Sequence, residues 1–146
     1  MTFRDNPEDS DRTAFSAAVA NAQAAVAGLS EQYIGWVNDD LKRLDAAIAA
    51  VSDGGNTPAL QAVYDVAHDI KGQGSTFGYQ LVTDIGQLLC RYVAEAIQRK
   101  SVDGEIIAAH AAALRTVVDN RIQGQAGEIG KEILETLKAA AAKSFA

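Results

Sequence analysis

Six aliphatic residues, Ile34, Val37, Leu41, Leu44, Ile48 and Val51, follow one another at steps of 3, 4, 3, 4 and 3. That spacing puts them on one face of a helix, as in the seam of a helix bundle. A strand cannot use it, because strand side chains alternate with a period of two. The 146 residues include 28 alanines and only two prolines, Pro7 and Pro58. Alanine is the best helix former and proline the strongest breaker. β-branched residues stand singly rather than in alternating runs, so the chain reads as all-α.

Charge and cysteine content narrow the functional classes. Nineteen acidic residues against 13 basic give a net charge of -6, with a pI near 4.8. A nucleic-acid binder needs a basic stripe against phosphates, so that class is set aside. A single cysteine, Cys90, allows no internal disulfide, and two histidines are too few for a typical structural zinc site. Residues 1–10 are acidic and lack the apolar segment of a signal peptide, and no apolar run approaches the ~18 residues of a membrane span. The expectation is a cytoplasmic domain with no membrane or nucleic-acid partner.

Breakers and caps divide the chain. Residues 1–10 read as disordered, and residues 11–146 as a single domain. A first helix is expected over 11–27, with a thin alanine-rich stripe and Gly28 as its stop. Ser30 reads as the cap of the second helix, which carries the seam to Val51. Thr57 and Pro58 open a third helix ending near Ser75, and Thr76, Phe77 and Gly78 form a turn. A fourth helix follows over 79–100. Asp103 is positioned to cap a fifth over 105–122, and after Gly124, Gly127 and Gly130 a last helix covers 128–143. Short connections between long helices predict an up-down antiparallel four-helix bundle, with its core over about 30–122 and additional N-terminal and C-terminal helices.

The third helix carries the chemistry. Projected at 100° per residue, Leu60, Val63, Val66, Ala67, Ile70, Gly74 and Phe77 fall on one arc. Gln61, Tyr64, Asp65, His68, Lys71, Gly72 and Ser75 fall within about 60° of His68 on the opposite side. A lone helical histidine is usually a packed core residue, but this one is centred on the polar strip. A neutral imidazole near pH 7 is a nucleophile, and no serine or cysteine partner of a hydrolase accompanies it. Lys71 lies one turn on and suits an incoming phosphoryl dianion. A glycine inside a helix costs about 1 kcal/mol against alanine, so Gly72 implies close approach by something large. Together these residues suggest phosphotransfer to another protein.

His68-Asp69-Ile70-Lys71-Gly72-Gln73-Gly74-Ser75-Thr76-Phe77-Gly78 resembles the signature of histidine-containing phosphotransfer (HPt) domains, in which lysine follows the histidine at +3, glycine at +4 and +10, and an apolar residue at +2. Gly86 and Gln87, at +18 and +19, resemble the part of the next helix that faces the histidine. The specific motif covers 68–78 with support to 87, and the architecture covers about 30–122. The resemblance implies a four-helix phosphocarrier without ATP-binding machinery. His68 would accept a phosphoryl group on Nε2 from the aspartate of one receiver domain and pass it to another. Lys71 would steady the phosphoryl, Gln87 would hydrogen-bond the ring or phosphoryl, and Gly72 would let the receiver's loops approach. Gln61, Tyr64, Asp65 and Ser75 would border the docking surface. The chain would need no cofactor of its own, with Mg²⁺ held by the receiver, and would act as a monomer.

Two features depart from the pattern. Ser75 stands at +7, after Gly74 at +6. Asp69 at +1 is similar instead to the H-box of sensor-kinase dimerisation helices, but the proline expected there at +5 is Gln73. A dimeric kinase-derived scaffold is therefore an alternative, as is a bundle that sequesters a response regulator. Elsewhere, Cys90 reads as a quiet helix residue, His110 as a packed or boundary histidine, and Tyr33, Trp36 and Phe77 as bundle packing.

Overall fold

The computed structural model describes residues 7–52 and 56–146. It contains α1 (Pro7–Ala49), α2 (Thr57–Gly74), a 3₁₀ turn (Ser75–Phe77), α3 (Gln80–Arg99), α4 (Gly104–Asp119) and α5 (Gly127–Ser144). Among the described residues there is no strand, and no helix is long and apolar enough to cross a membrane.

The main correction concerns α1. The two helices expected over 11–27 and 30–51 are one continuous helix, and Gly28 does not stop it. One glycine costs only about 1 kcal/mol. Alanines precede it, and the apolar spacing continues through it from Val26 to Leu29 and Tyr33. The additional N-terminal helix is therefore the first half of α1. Ser30 caps nothing, and its hydroxyl donates to the Phe77 carbonyl at 3.4 Å. Pro7 to Ser10, expected to be disordered, are the first turn of α1. The rest of that expected disorder, residues 1–6, lies outside the described residues.

Four helices close a ring. α1 packs on α2 and α4, α3 packs on α2 and α4, and α5 lies against α3 and α4. The seam of α1 faces inward, with Val37, Leu41 and Leu44 buried. They meet Leu60, Val63 and Ile70 of α2, Leu81, Ile85 and Leu89 of α3, and Ile107, Leu114 and Val117 of α4 in one core. Each fully buried side chain of this size contributes roughly 1.5–3 kcal/mol.

The caps differ in detail from expectation. Asn56, not Thr57, holds the N-cap of α2, and its side chain makes no cap hydrogen bond, while Pro58 sits in the first turn. Asp103 does cap α4, accepting from the Glu105 N–H at 3.0 Å. Between α2 and α3 the chain reverses at Gly78, whose φ of 89° suits glycine. The segment after α4 is hydrogen-bonded onto this turn. Gly124 N–H donates to the Gly78 carbonyl at 2.7 Å, and Leu81 N–H donates to the Gly124 carbonyl at 3.2 Å. The end of α2 is thus held from two sides.

Candidate functional site

The strip projected from the sequence is the open face of α2. Gln61, Asp65, His68, Gly72 and Ser75 are exposed, while Tyr64 and Lys71 are half-buried. On the opposite side Leu60, Val63, Val66, Ala67, Ile70 and Gly74 are buried. Phe77 departs from its expected core position and is half-buried. Ser75 to Phe77 form a 3₁₀ turn, whose three residues per turn rotate Phe77 away from the core arc of an α-helix. Its ring stacks on Tyr33 at 5.0 Å. Trp36, expected to pack, sets an edge on Phe77 at 5.7 Å but remains 48% exposed.

Among the described residues, no side chain forms a hydrogen bond or ion pair with His68. Its ring lies against Tyr64 one turn back, with centroids 6.2 Å apart and planes 25° apart. Asp69 does not turn to the histidine. Its carboxylate lies 3.6 Å from the Arg43 guanidinium on α1, and Arg43 also contacts Asp40 at 3.1 Å. The acid at +1, the feature shared with the H-box, therefore ties α2 to α1. Gln61 donates to Asp65 at 2.9 Å along the same strip.

Glycines set how closely things approach this face. A Cβ on Gly72 would meet no atom within 4 Å, so nothing in the fold requires glycine there. Gly86 of α3 is the opposite case. A Cβ there would come within 3.1 Å of Lys71 Cα and Cβ and 3.2 Å of its backbone N, so α3 crosses α2 tightly at the lysine. Gln87 follows Gly86 and is half-buried. It makes no hydrogen bond to His68. A Cβ on Gly74 would lie 2.7 Å from Thr83 Oγ1 and 2.8 Å from the Tyr79 carbonyl oxygen, so glycine is required where α2 turns into α3.

Thr83 is the positioning residue that the motif did not reveal. Its hydroxyl donates to the Lys71 carbonyl at 2.9 Å and accepts from Ser75 N–H at 2.8 Å. One side chain of α3 thereby satisfies backbone groups at the end of α2, where intrahelical partners run out. The sequence signal was weak: a threonine inside α3 on the side that also carries Gly86.

Cys90, on α3 behind Tyr64, is buried. Burial pushes its thiol up, and the Lys71 ammonium offsets this only in part. His110 is fully buried. Its Nδ1 is 2.7 Å from the Ile106 carbonyl oxygen, and burial holds its pKa below the ordinary 6.5. It lies far around the bundle from His68, stacked on Tyr92 at 6.2 Å. Among the described residues no group of three or more His, Cys, Asp or Glu side chains is arranged to hold a metal ion.

No curated protein and no solved structure matches the chain. A family model for the Hpt domain matches residues 28–142. The match begins where α1 nears the bundle and runs through most of α5, so it takes in the whole ring and the strip around His68. The chain belongs to the Hpt domain family, the histidine phosphotransfer modules of two-component phosphorelays.

Proposed function

We propose that His68 is the phosphoacceptor of this Hpt domain and that it exchanges a phosphoryl group with the aspartates of receiver domains. The observation that carries this reading is the state of His68. It is an exposed imidazole at the centre of the open strip of α2, inside the Hpt match, and among the described residues no side chain forms a hydrogen bond or ion pair with it.

In the transfer, the lone pair of a ring nitrogen attacks the phosphorus of the receiver's aspartyl phosphate. The P–N bond forms as the P–O bond breaks, and the aspartate leaves as a carboxylate. The return step reverses this toward a second receiver. Such chemistry is mostly positioning and charge stabilisation. Lys71, one turn from His68, supplies a cation for the phosphoryl oxygens. Gln87, from the adjacent helix, is the amide assigned to hydrogen-bond the ring or phosphoryl. Gly72 leaves room for the receiver's loops. Gln61, Tyr64, Asp65 and Ser75 form the rim of the docking surface. Mg²⁺ belongs to the receiver, and this chain is a carrier of phosphoryl rather than an enzyme with turnover of its own. The kinase-derived scaffold is the less favoured reading, because Asp69 faces Arg43 of α1 rather than His68.

The test is transfer of labelled phosphoryl from a panel of receivers to wild type and His68→Gln. Label that is acid-labile and base-stable on wild type, and absent from a folded His68→Gln, is the expected result. A folded wild type that takes no label but binds receivers equally well with and without His68 would instead make the protein a sequestering bundle.

A further inference from the structure

We infer that the groove between α3 and α5 is a binding site for a small organic anion with a compact apolar body, of the aryl carboxylate class.

Two helix faces make the groove. On α3, Leu88, Tyr92, Glu95 and Arg99 follow one another at steps of 4, 3 and 4, and on α5 Leu137, Ala141 and Phe145 follow at steps of 4 and 4. Each set therefore shares one face of its helix. Opposite the longer side chains of α3, Ala141 and Ala142 present only methyl groups, and a gap of about 490 Å³ is left between the helices. Sites for small molecules occupy roughly 300–1,000 Å³. The far end of α5 is pinned, so the gap is preformed. Phe145 stacks on Tyr92 at 5.1 Å, Arg99 lies over the Phe145 ring at 5.0 Å, and the Tyr92 and Ser144 hydroxyls are 2.8 Å apart. α5 packs on α3 and α4 and makes no contact with α2, so the groove is separate from the His68 strip.

Charge decides what the groove takes. Arg91, Arg99 and Lys138 line it against one acid, Glu95. Arg99 is paired with Glu95. Arg91 of α3 and Lys138 of α5 have no ion pair or hydrogen bond among the described residues, and both are exposed. Two unpaired cations thus stand over a gap walled by Leu88, Leu137 and Ala141, in a chain whose net charge is -6. The floor adds no charge. His110 lies there fully buried, and burial lowers its pKa from the ordinary 6.5, which keeps it neutral at pH 7. Its Nδ1 is held by the Ile106 carbonyl, while Nε2 has no partner. Native proteins keep few such atoms, and this one adds a polar demand beneath the apolar walls. An anion complements the two free cations, and a cationic ligand would be repelled by them.

The exposed half of α1 is the competing apolar surface, with Phe15 72% and Val26 62% exposed. Residues 13–30 carry no charge, so that stripe can hold an apolar body but cannot select an anionic one. Charge selectivity therefore separates the two surfaces.

Titration of the full chain with 2-naphthoate, followed by fluorescence and by amide NMR shifts, tests this. One molecule is expected per chain, with shifts at Leu88, Leu137 and Ala141. 2-Naphthol, the same body without the charge, should bind at least about tenfold more weakly. The Arg91→Gln, Lys138→Gln double variant should lower 2-naphthoate binding to the naphthol level. Both positions are exposed, so its melting temperature stays at the wild-type value. Equal binding of the two probes, binding that survives the double variant, shifts at Val19 and Val26 in place of α5, or no saturation below about 1 mM would each overturn the proposal. The readout is binding alone, so its failure leaves the labelling of His68 untouched.

Discussion

Replacing Gly72 by alanine is expected to make the protein more stable and less able to exchange phosphoryl groups. The new methyl meets nothing within 4 Å, so no packing term opposes it. Alanine is favoured over glycine inside a helix by about 0.5–1 kcal/mol. For a chain of 146 residues, an unfolding entropy of roughly 2 cal/mol/K per residue converts 1 kcal/mol into about 3 °C. Gly72→Ala should therefore melt about 1.5–3 °C higher. Two residues on, the sign reverses. A methyl on Gly74 would stand 2.8 Å from the Tyr79 carbonyl oxygen and 2.9 Å from Thr83 N, and backbone atoms cannot step aside as a side chain can. Overpacking of about 1–3 kcal/mol exceeds the helical gain, and Gly74→Ala should melt several degrees lower. The assay is paired: thermal melting by circular dichroism, and the rate of phosphoryl transfer from a cognate receiver. If Gly72 is there for docking, the new methyl meets the receiver, and a clash of about 1–3 kcal/mol slows transfer roughly fivefold to 150-fold. A Gly72→Ala protein that is stabilised and transfers at the wild-type rate would refute the docking role. A destabilised one would refute the reading of open space.

Thr83→Val keeps the shape of the side chain but removes both hydrogen bonds at the end of α2. Leaving Ser75 N–H and the Lys71 carbonyl without this partner should cost about 1–3 kcal/mol, read as a lower urea midpoint, with a slower transfer because Lys71 is less firmly placed. His110 gives a pH dependence of fixed sign. Its folded pKa is depressed by burial, so the unfolded chain binds a proton more readily. Its contribution to stability is complete above about 6.5 and is lost as pH falls below that value toward the folded pKa, at up to about 1.4 kcal/mol per pH unit. Urea titrations at pH 7.5 and 5.5 on wild type and His110→Gln check this, and an equal loss in both proteins would remove His110 as the cause.

Periodicity made the ring and the open face of α2 legible before any coordinates. Leu60, Val63, Val66, Ala67 and Ile70 fall on one arc because a helix repeats every 3.6 residues, and a core needs that arc. The relation of His68, Lys71 and Gly72 is local in the same way, so a linear motif contains it. Three other features were not legible. The path through Gly28 depended on a small balance between helix continuation and a break, and local rules gave the break. The Thr83 hydrogen bonds reach 12 residues back to Lys71 and 8 back to Ser75, the close crossing at Gly86 is made against Lys71 of another helix, and nothing in the spacing of either helix announces these contacts. Asp69 looked like an acid beside the histidine until α1 brought Arg43 to it.

Sequence alone therefore determined what each helix buries and which side chains share its open face, because both follow from one short repeat along one chain. Only the tertiary structure decided where the helices touch, what Asp69 faces and that half of α1 stands without a partner. Those outcomes depend on how separate helices pack, and packing is a property of surfaces meeting rather than of any one stretch of chain.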